Sequence, residues 1–500
     1  MTEPLSPGAY RDLLSRALEG TVDADTRRPT PHTLYMPDAH RAALYVDSTV
    51  VQGGRGVGKT FWARSLLDPA LREAAADEYR ISRLRRLRVS PGHGMDIGSP
   101  HYPGPLALYG LVDSGALPDE IWYAVLLTVL GQPELREPAG WADRVAWVRA
   151  NRDPAEHTIA QADAEAYADD VVHLLVFDGL EHLHHDRATT DQLIAGLLRV
   201  ALRLRFGTRN IRFKVFLRPD MFDAAKQLFP DASKLSGNAA YLEWSRTDLY
   251  GLLFHHLGNE DDEAARRFRQ ITGGWEPGPD PDPSRQADRY VPPPALRNDA
   301  KAQTPLFERI ADPFMGSNVR KGRPYTWLPN HLMDSKDRIS PRSFLKALAV
   351  AADTTRASYP SHDRALHHDA IRSGVREAST VRVDQICEDT PWVEMAIRPL
   401  TGCQVPLAQG KIVGIWKERD LPRELREESA RYVQSDRPDL VHTGPRHPDD
   451  LPRLIQELIE LGVLRRRDKD IDEYSLLDLP DIYRLAFGLG RMGGIPLTGR

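Results

Sequence analysis

The run Gly53-Gly54-Arg55-Gly56-Val57-Gly58-Lys59-Thr60 places glycine, lysine and a hydroxyl at the G-x-x-x-x-G-K-[ST] spacing of a phosphate-binding loop. Glycines let the backbone wrap an anion closely. Its N–H groups and the start of the next helix face the phosphates, Lys59 reaches the β/γ-phosphates, and the Thr60 hydroxyl ligates Mg²⁺. With Phe61, these residues form the expected cofactor-binding stretch. Such a site also needs carboxylates. VVHLLVF ends in Asp178, where a metal-binding acid belongs, and Glu181 follows three residues later with the chemistry to orient or deprotonate water. Taken locally, Asp178 also suits a helix cap after a core strand and Glu181 a solvated first-turn acid.

These residues need a scaffold, and the pattern supplies one. Ser48–Val51 is a β-branched run that enters the glycine cluster and leaves into a helix through Phe61, Leu66 and Leu67. Val171–Phe177, Ile211–Leu217 and Ala239–Trp244 read as further short strands with helical stretches between them. Buried strands alternating with helices predict a parallel sheet covered on both faces, a three-layer α/β core with ligands at the carboxyl ends of its strands.

Around that core the chain divides into an N-terminal helical segment (1–45), the phosphate-loop core (46–272), a Pro-rich insertion (273–335), a helical lid with connecting helices (336–430) and a terminal domain (431–500). The first part of the insertion, 273–305, beginning GGWEPGPDPDPSRQADRYVPPP, is expected to be too interrupted for regular structure. In the terminal domain the order helix, strand, charged turn RRRDKDIDE, strand predicts a winged-helix-like fold over 451–477. No internal repeat is visible.

Composition sets the limits. In 500 residues, 66 Lys and Arg oppose 71 Asp and Glu, for a net charge of −5, which argues against a general polyanion-coating protein. Cys387 and Cys403 are the two cysteines, too few for a disulfide framework and suited to a reducing cytosol. The amino terminus lacks a basic region followed by an apolar one, so a secretory leader is not expected. The most apolar stretch, Ile121–Leu130, falls short of the roughly 20 residues of a membrane span and predicts a buried helix. The expected setting is cytoplasmic, without a membrane partner.

Two basic clusters stand out: Arg83, Arg85, Arg86 and Arg88 before Val89, and Arg465-Arg466-Arg467 beside the predicted wing. Both suit DNA phosphates, and both equally suit solvated charged faces or a protein-docking winged helix. The histidine groups His182/His184/His185 and His367/His368 lack the His-x-x-x-His spacing of a helical zinc site, so no metal is expected there.

Strand-GGRGVGKT followed by VVHLLVFDGLEHL resembles the signal-transduction ATPases with numerous domains, the STAND class related to AAA+ proteins. Asp178-Gly179-Leu180-Glu181 is similar to the NACHT-type acidic motif, in which a small residue follows the metal-binding Asp and the working acid lies three positions on. The resemblance implies that Glu181 is the catalytic acid. It also places Arg218, in VFLRPD, as a sensor arginine that contacts the γ-phosphate; read locally, Arg218 is a surface salt bridge. Ser340-Pro341-Arg342 is similar to the STAND lid motif and to the sensor-two helix of origin-recognition AAA+ ATPases, which makes Arg342 a lid residue near the phosphates. An ordinary Pro-initiated helix is the local alternative.

The long repeat arrays and fused effector domains usual in STAND proteins are not present in this chain. That departure points to a homo-oligomer or to a separate sensor or effector protein. The resemblance implies ATP and Mg²⁺ as cofactors, a switch that cycles through conformation or assembly, and a role in bacterial conflict such as defence against phage. The guanine-specifying Asn-Lys-x-Asp segment is missing. Arg205 and Arg209 are candidates for an arginine finger acting in trans. Alternatives are an ATP-regulated DNA-binding or loading protein and a non-hydrolysing nucleotide-stabilised scaffold.

Overall fold

The computed structural model describes residues 4–19, 28–136, 140–184, 186–278, 289–434, 444–467 and 473–492. His185, residues 279–288 of the Pro-rich insertion and much of the charged turn after Arg467 lie outside the described residues. The chain forms two compact units: Asp38–Leu242 with Glu427–Gly444, and Met1–Pro37 with Glu243–Arg426 and Pro445–Arg500.

The first unit is α/β. Its sheet holds β1 (Val50–Gln52), β2 (Leu87–His93), β3 (Val172–Phe177), β4 (Ile211–Leu217) and β5 (Ala240–Tyr241), parallel throughout, in the order β2-β3-β4-β1-β5. Every residue of β4 is buried, as a strand covered on both faces requires. Val50, Leu175, Phe177, Phe213 and Val215 share a core with Trp122 and Val125 of the helix Pro118–Val129, and with Leu197 and Leu198 of the helix Arg187–Gly207. The apolar stretch from Ile121 is thus a buried helix, and the Trp122 indole N–H donates to the Leu193 carbonyl at 2.8 Å.

The sheet core also takes in a lysine, and burial brings its pKa down to about 7. Lys214 in β4 is fully buried, and its three ammonium hydrogens match three carbonyls, those of Ala43, Tyr45 and Ser48, at 2.7–2.8 Å. It ties the segment leading into β1 to the neighbouring strand.

Strand β2 was not anticipated from sequence, because Arg88, Pro91 and Gly92 break the apolar pattern. It is an edge strand that pairs only with β3, where proline is tolerated. A Cβ on Gly92 would lie 2.4 Å from the Phe177 ring, so the close approach demands glycine.

The second unit is mainly helical. Leu13, Leu14 and Leu18 of the first helix, Pro7–Leu18, join a core with Tyr250, Phe307, Phe344 and Trp416. Its principal helices include Arg246–Asn259, Pro324–Leu332, Pro341–Ser358 and His368–Asp389. A three-stranded antiparallel sheet joins Arg465–Arg466, Leu476–Asp478 and Leu407–Ala408 in that spatial order, with the helix Leu451–Glu460 preceding its hairpin. Among the described residues no helix is long and apolar enough to cross a membrane.

The expectation of an irregular segment over 273–305 is corrected by a short hairpin (Glu276–Pro277 with Tyr290–Val291) and the helices Pro294–Asn298 and Ala300–Ile310. Pro294 and Pro324 open their helices, where no N–H is needed. Pro329 sits inside a helix and leaves the Tyr325 carbonyl without its usual partner; the Tyr250 hydroxyl donates to that oxygen at 3.1 Å.

Candidate functional site

Three strand ends build the site. β1 runs into the glycine loop, which is anchored where the Gly53 N–H donates to the Leu217 carbonyl of β4 at 3.0 Å. Gly56 and Gly58 take φ of 70° and 103°, a left-handed backbone that side chains resist. A Cβ on Gly53 would fall 2.6 Å from Val57 Cγ2, so the loop is too tight for any other residue there. The helix Lys59–Leu67 starts with Gly58 at its cap and no side chain on its first N–H groups. Those donors and the helix dipole point at the position of an anion.

Lys59 lies across this loop, its Nζ donating to the Gly53 and Gly54 carbonyls at 3.2 and 3.1 Å. Burial lowers its pKa, and the nearby Glu181 and Asp178 oppose that shift. The carbonyls are replaceable acceptors, and the ammonium is held where phosphate oxygens would compete for it.

β3 delivers Asp178 and Glu181. Asp178 is buried, with its N–H donating to the His93 carbonyl at 3.1 Å and its own carbonyl 2.8 Å from His93 Nδ1. Burial pushes its pKa up to about 6, with the Glu181 carboxylate adding to the rise; the Thr60 hydroxyl bond and Lys59 pull the other way. The chain then turns at Gly179 (φ 68°) into a short helical turn, Leu180–His182, that brings Glu181 back over the loop. Burial raises the Glu181 pKa too, yet Lys59, Arg218 and His182 together bring it down to about 2. Two carboxylates three residues apart are thereby separated in acidity, with Glu181 ionised and Asp178 short of positive charge. A hydroxyl and an under-compensated carboxylate, Thr60 and Asp178, suit a divalent cation of the hard, oxygen-seeking kind.

β4 delivers Arg218, 4% exposed. Sequence reasoning did not find its anchor: the Asp220 carboxylate lies 3.4 Å from Arg218 and 3.3 Å from Arg187. Arg187 is fixed in turn by Asp191 at 3.2 Å. Burial works against the Asp220 charge, but Arg218, Arg187 and Arg55 hold the group ionised far below the ordinary aspartate range. The only sequence signal for this anchor was an acid two residues after Arg218. Burial lowers the His182 pKa, as do Arg218 and Arg55, while Glu181 opposes the shift.

Lys59, Thr60, Asp178, Glu181 and Arg218 thus converge. Arg342 occupies the first turn of Pro341–Ser358, in the other compact unit. Arg209 lies just before the amino end of β4, opposite the site; its N–H donates to Asp163 at 3.0 Å and its guanidinium covers the Tyr167 ring. Arg205 lies at the end of its helix.

The basic clusters are spent internally. Arg83 pairs with Asp47, Arg85 with Glu73 and Asp77, Arg86 with Asp170 and Arg88 with Asp169. Arg465 donates to the Ser335 carbonyl and pairs with Asp337, Arg466 donates to Gln409, and Arg467 pairs with Asp478.

No family model matches the sequence, and no curated protein matches it. Among solved structures the chain is similar to the Aeropyrum pernix ORC2 protein in its ADPNP–ADP complexes. The identity is 14% and the TM-score 0.37, over 88% of this chain and 85% of that one.

Proposed function

We propose that the protein is a Mg²⁺-dependent ATPase switch of the AAA+/STAND kind, acting through conformational change or assembly with copies of itself or a partner protein. The observation that carries this is the convergence of a tight glycine loop, a buried lysine, a hydroxyl–carboxylate pair and a second, ionised acid at neighbouring strand ends. A bound Mg²⁺ would neutralise phosphate charge between Thr60 and Asp178. Lys59 exchanges its two loop carbonyls for phosphate oxygens. Glu181, ionised throughout the physiological range, orients the attacking water, while Arg218 binds the terminal phosphate. ATP, rather than GTP, follows from the family resemblance. The internal use of Arg465, Arg466 and Arg467 favours the switch over a DNA loader that grips the duplex with these arginines.

The test is ATP turnover by the purified chain beside Lys59→Ala and Glu181→Gln, with mass measured with and without Mg-ATP. Loss of turnover by about 10²-fold or more in each variant, with nucleotide retained by Glu181→Gln, is the expected result. Tight binding with no turnover in the unaltered protein would replace the hydrolytic switch with a nucleotide-stabilised scaffold.

A further inference from the structure

His93 ends β2 beside the acid that β3 delivers. The Asp178 N–H donates to the His93 carbonyl at 3.1 Å, the last rung of the parallel β2–β3 ladder. In such a ladder the donor to the Asp178 carbonyl is the N–H two residues beyond His93. β2 has ended by then, and the His93 imidazole takes that place, with Nδ1 2.8 Å from the Asp178 carbonyl oxygen. A carbonyl only accepts, so Nδ1 carries the hydrogen whatever the charge of the ring. One residue therefore holds both backbone polar groups of Asp178, one through its main chain and one through its side chain.

The grip is firm. His93 is buried, and its ring lies against those of Tyr102 and Trp122, which are buried too, with centroids 5.4 and 6.4 Å away. Peptide groups are planar, so fixing the N–H and the C=O of one residue fixes its φ and ψ and the direction of its Cα–Cβ bond. For Asp178 that direction sets where the carboxylate meets the Thr60 hydroxyl. The same carbonyl belongs to the peptide that enters Gly179, whose φ of 68° turns the chain toward Glu181.

We infer that His93 is a positioning residue for the cation site: its Nδ1–H bond to the Asp178 carbonyl holds the carboxylate in the orientation in which it shares Mg²⁺ with Thr60. The inference rests on the reading of Asp178 and Thr60 as the metal pair. His93 acts only through Asp178, and outer groups that orient a metal ligand are worth about 10- to 100-fold in metal affinity.

Two replacements divide the properties of the imidazole. Phenylalanine keeps a ring against Tyr102 and Trp122 but has no donor; asparagine gives up the ring and places an amide N–H near the position of Nδ1. The full chain is titrated with the N-methylanthraniloyl derivative of ATP in EDTA and in excess Mg²⁺, and the ratio of the two dissociation constants isolates the share of the metal. His93→Phe should lower that ratio by about tenfold, with the EDTA constant and the circular dichroism unchanged, and His93→Asn should keep it within about threefold of the unaltered protein. His93→Leu, with neither donor nor ring, should match His93→Phe and replaces it if that variant does not fold.

Asp178→Asn separates the two levels of argument. If it lowers the ratio and His93→Phe does not, the role of His93 is overturned while the metal pair stands. If it leaves the ratio unchanged, the metal pair falls and the role of His93 falls with it. Equal loss in His93→Phe and His93→Asn, or loss in His93→Asn alone, marks a packing role and overturns the inference, as does failure of both donor-free variants to fold.

Discussion

Replacing Asp178 with asparagine tests the electrostatics of the site through stability as well as activity. The Asp178 carboxyl titrates at about 6, against an ordinary 3.8. A gap of about 2 pKa units corresponds to ~3 kcal/mol. Because the folded pKa is raised, the cost is absent below pH ~3, where the group is neutral in both states. It grows as pH rises and is complete once pH passes the folded pKa. Asparagine keeps the shape and an acceptor for Thr60 but never ionises. The nucleotide-free Asp178→Asn protein should therefore exceed the unaltered protein in urea-denaturation stability by up to ~3 kcal/mol near pH 7.5, by about half that near pH 5, and by almost nothing near pH 3. Mg-ATP should close most of that gap. At about 100 times its dissociation constant the ligand contributes ~2.7 kcal/mol to the unaltered protein and far less to the variant, which has lost the metal's carboxylate. The kcat/KM for Mg-ATP of the unaltered protein should decline as pH falls through about 6, the range in which the metal-free Asp178 takes up its proton. A variant less stable than its parent at pH 7.5, a pH-independent difference, or equal stabilisation of both by Mg-ATP would refute the assignment.

Asp220→Asn should release Arg218 from its anchor and lower kcat about tenfold, with ATP affinity changed less than about threefold; steady-state kinetics separate the two effects. Lys214→Met leaves the Ala43, Tyr45 and Ser48 carbonyls buried without a donor, and should cost ~3–5 kcal/mol in urea denaturation of the nucleotide-free protein. Combined alanine replacement of Arg465, Arg466 and Arg467 should lower the melting temperature and leave retention on duplex DNA unchanged across a salt titration. A salt-dependent loss of DNA binding would restore the loader as the better account.

How much of this was legible in sequence depends on whether the information was local. The glycine loop is a contiguous string whose backbone demands only glycine satisfies, so its place between β1 and a helix could be read directly. Asp178 and Glu181 were legible because an apolar run must end where its strand leaves the core. The same rule found β3 and β4, and it failed for β2, whose edge position tolerates Pro91 and Arg88. The Pro-rich segment misled because proline reads as a breaker. In this fold Pro294 and Pro324 occupy helix starts, and the carbonyl left by Pro329 is satisfied by Tyr250, a residue far away in the chain.

Charge was the least legible property. The pattern of arginines at Arg83–Arg88 and Arg465–Arg467 marks candidate phosphate contacts, but whether a guanidinium is free depends on acids such as Asp47, Asp170 and Asp478, which only folding brings within reach. The split between Asp178 and Glu181 likewise follows from burial and from the distances to Lys59 and Arg218. Residue type and spacing determined which groups can do the chemistry. Tertiary structure decided which are charged, which are already satisfied and which still lack a partner, because Coulomb and desolvation energies depend on distance and burial rather than on position in the chain.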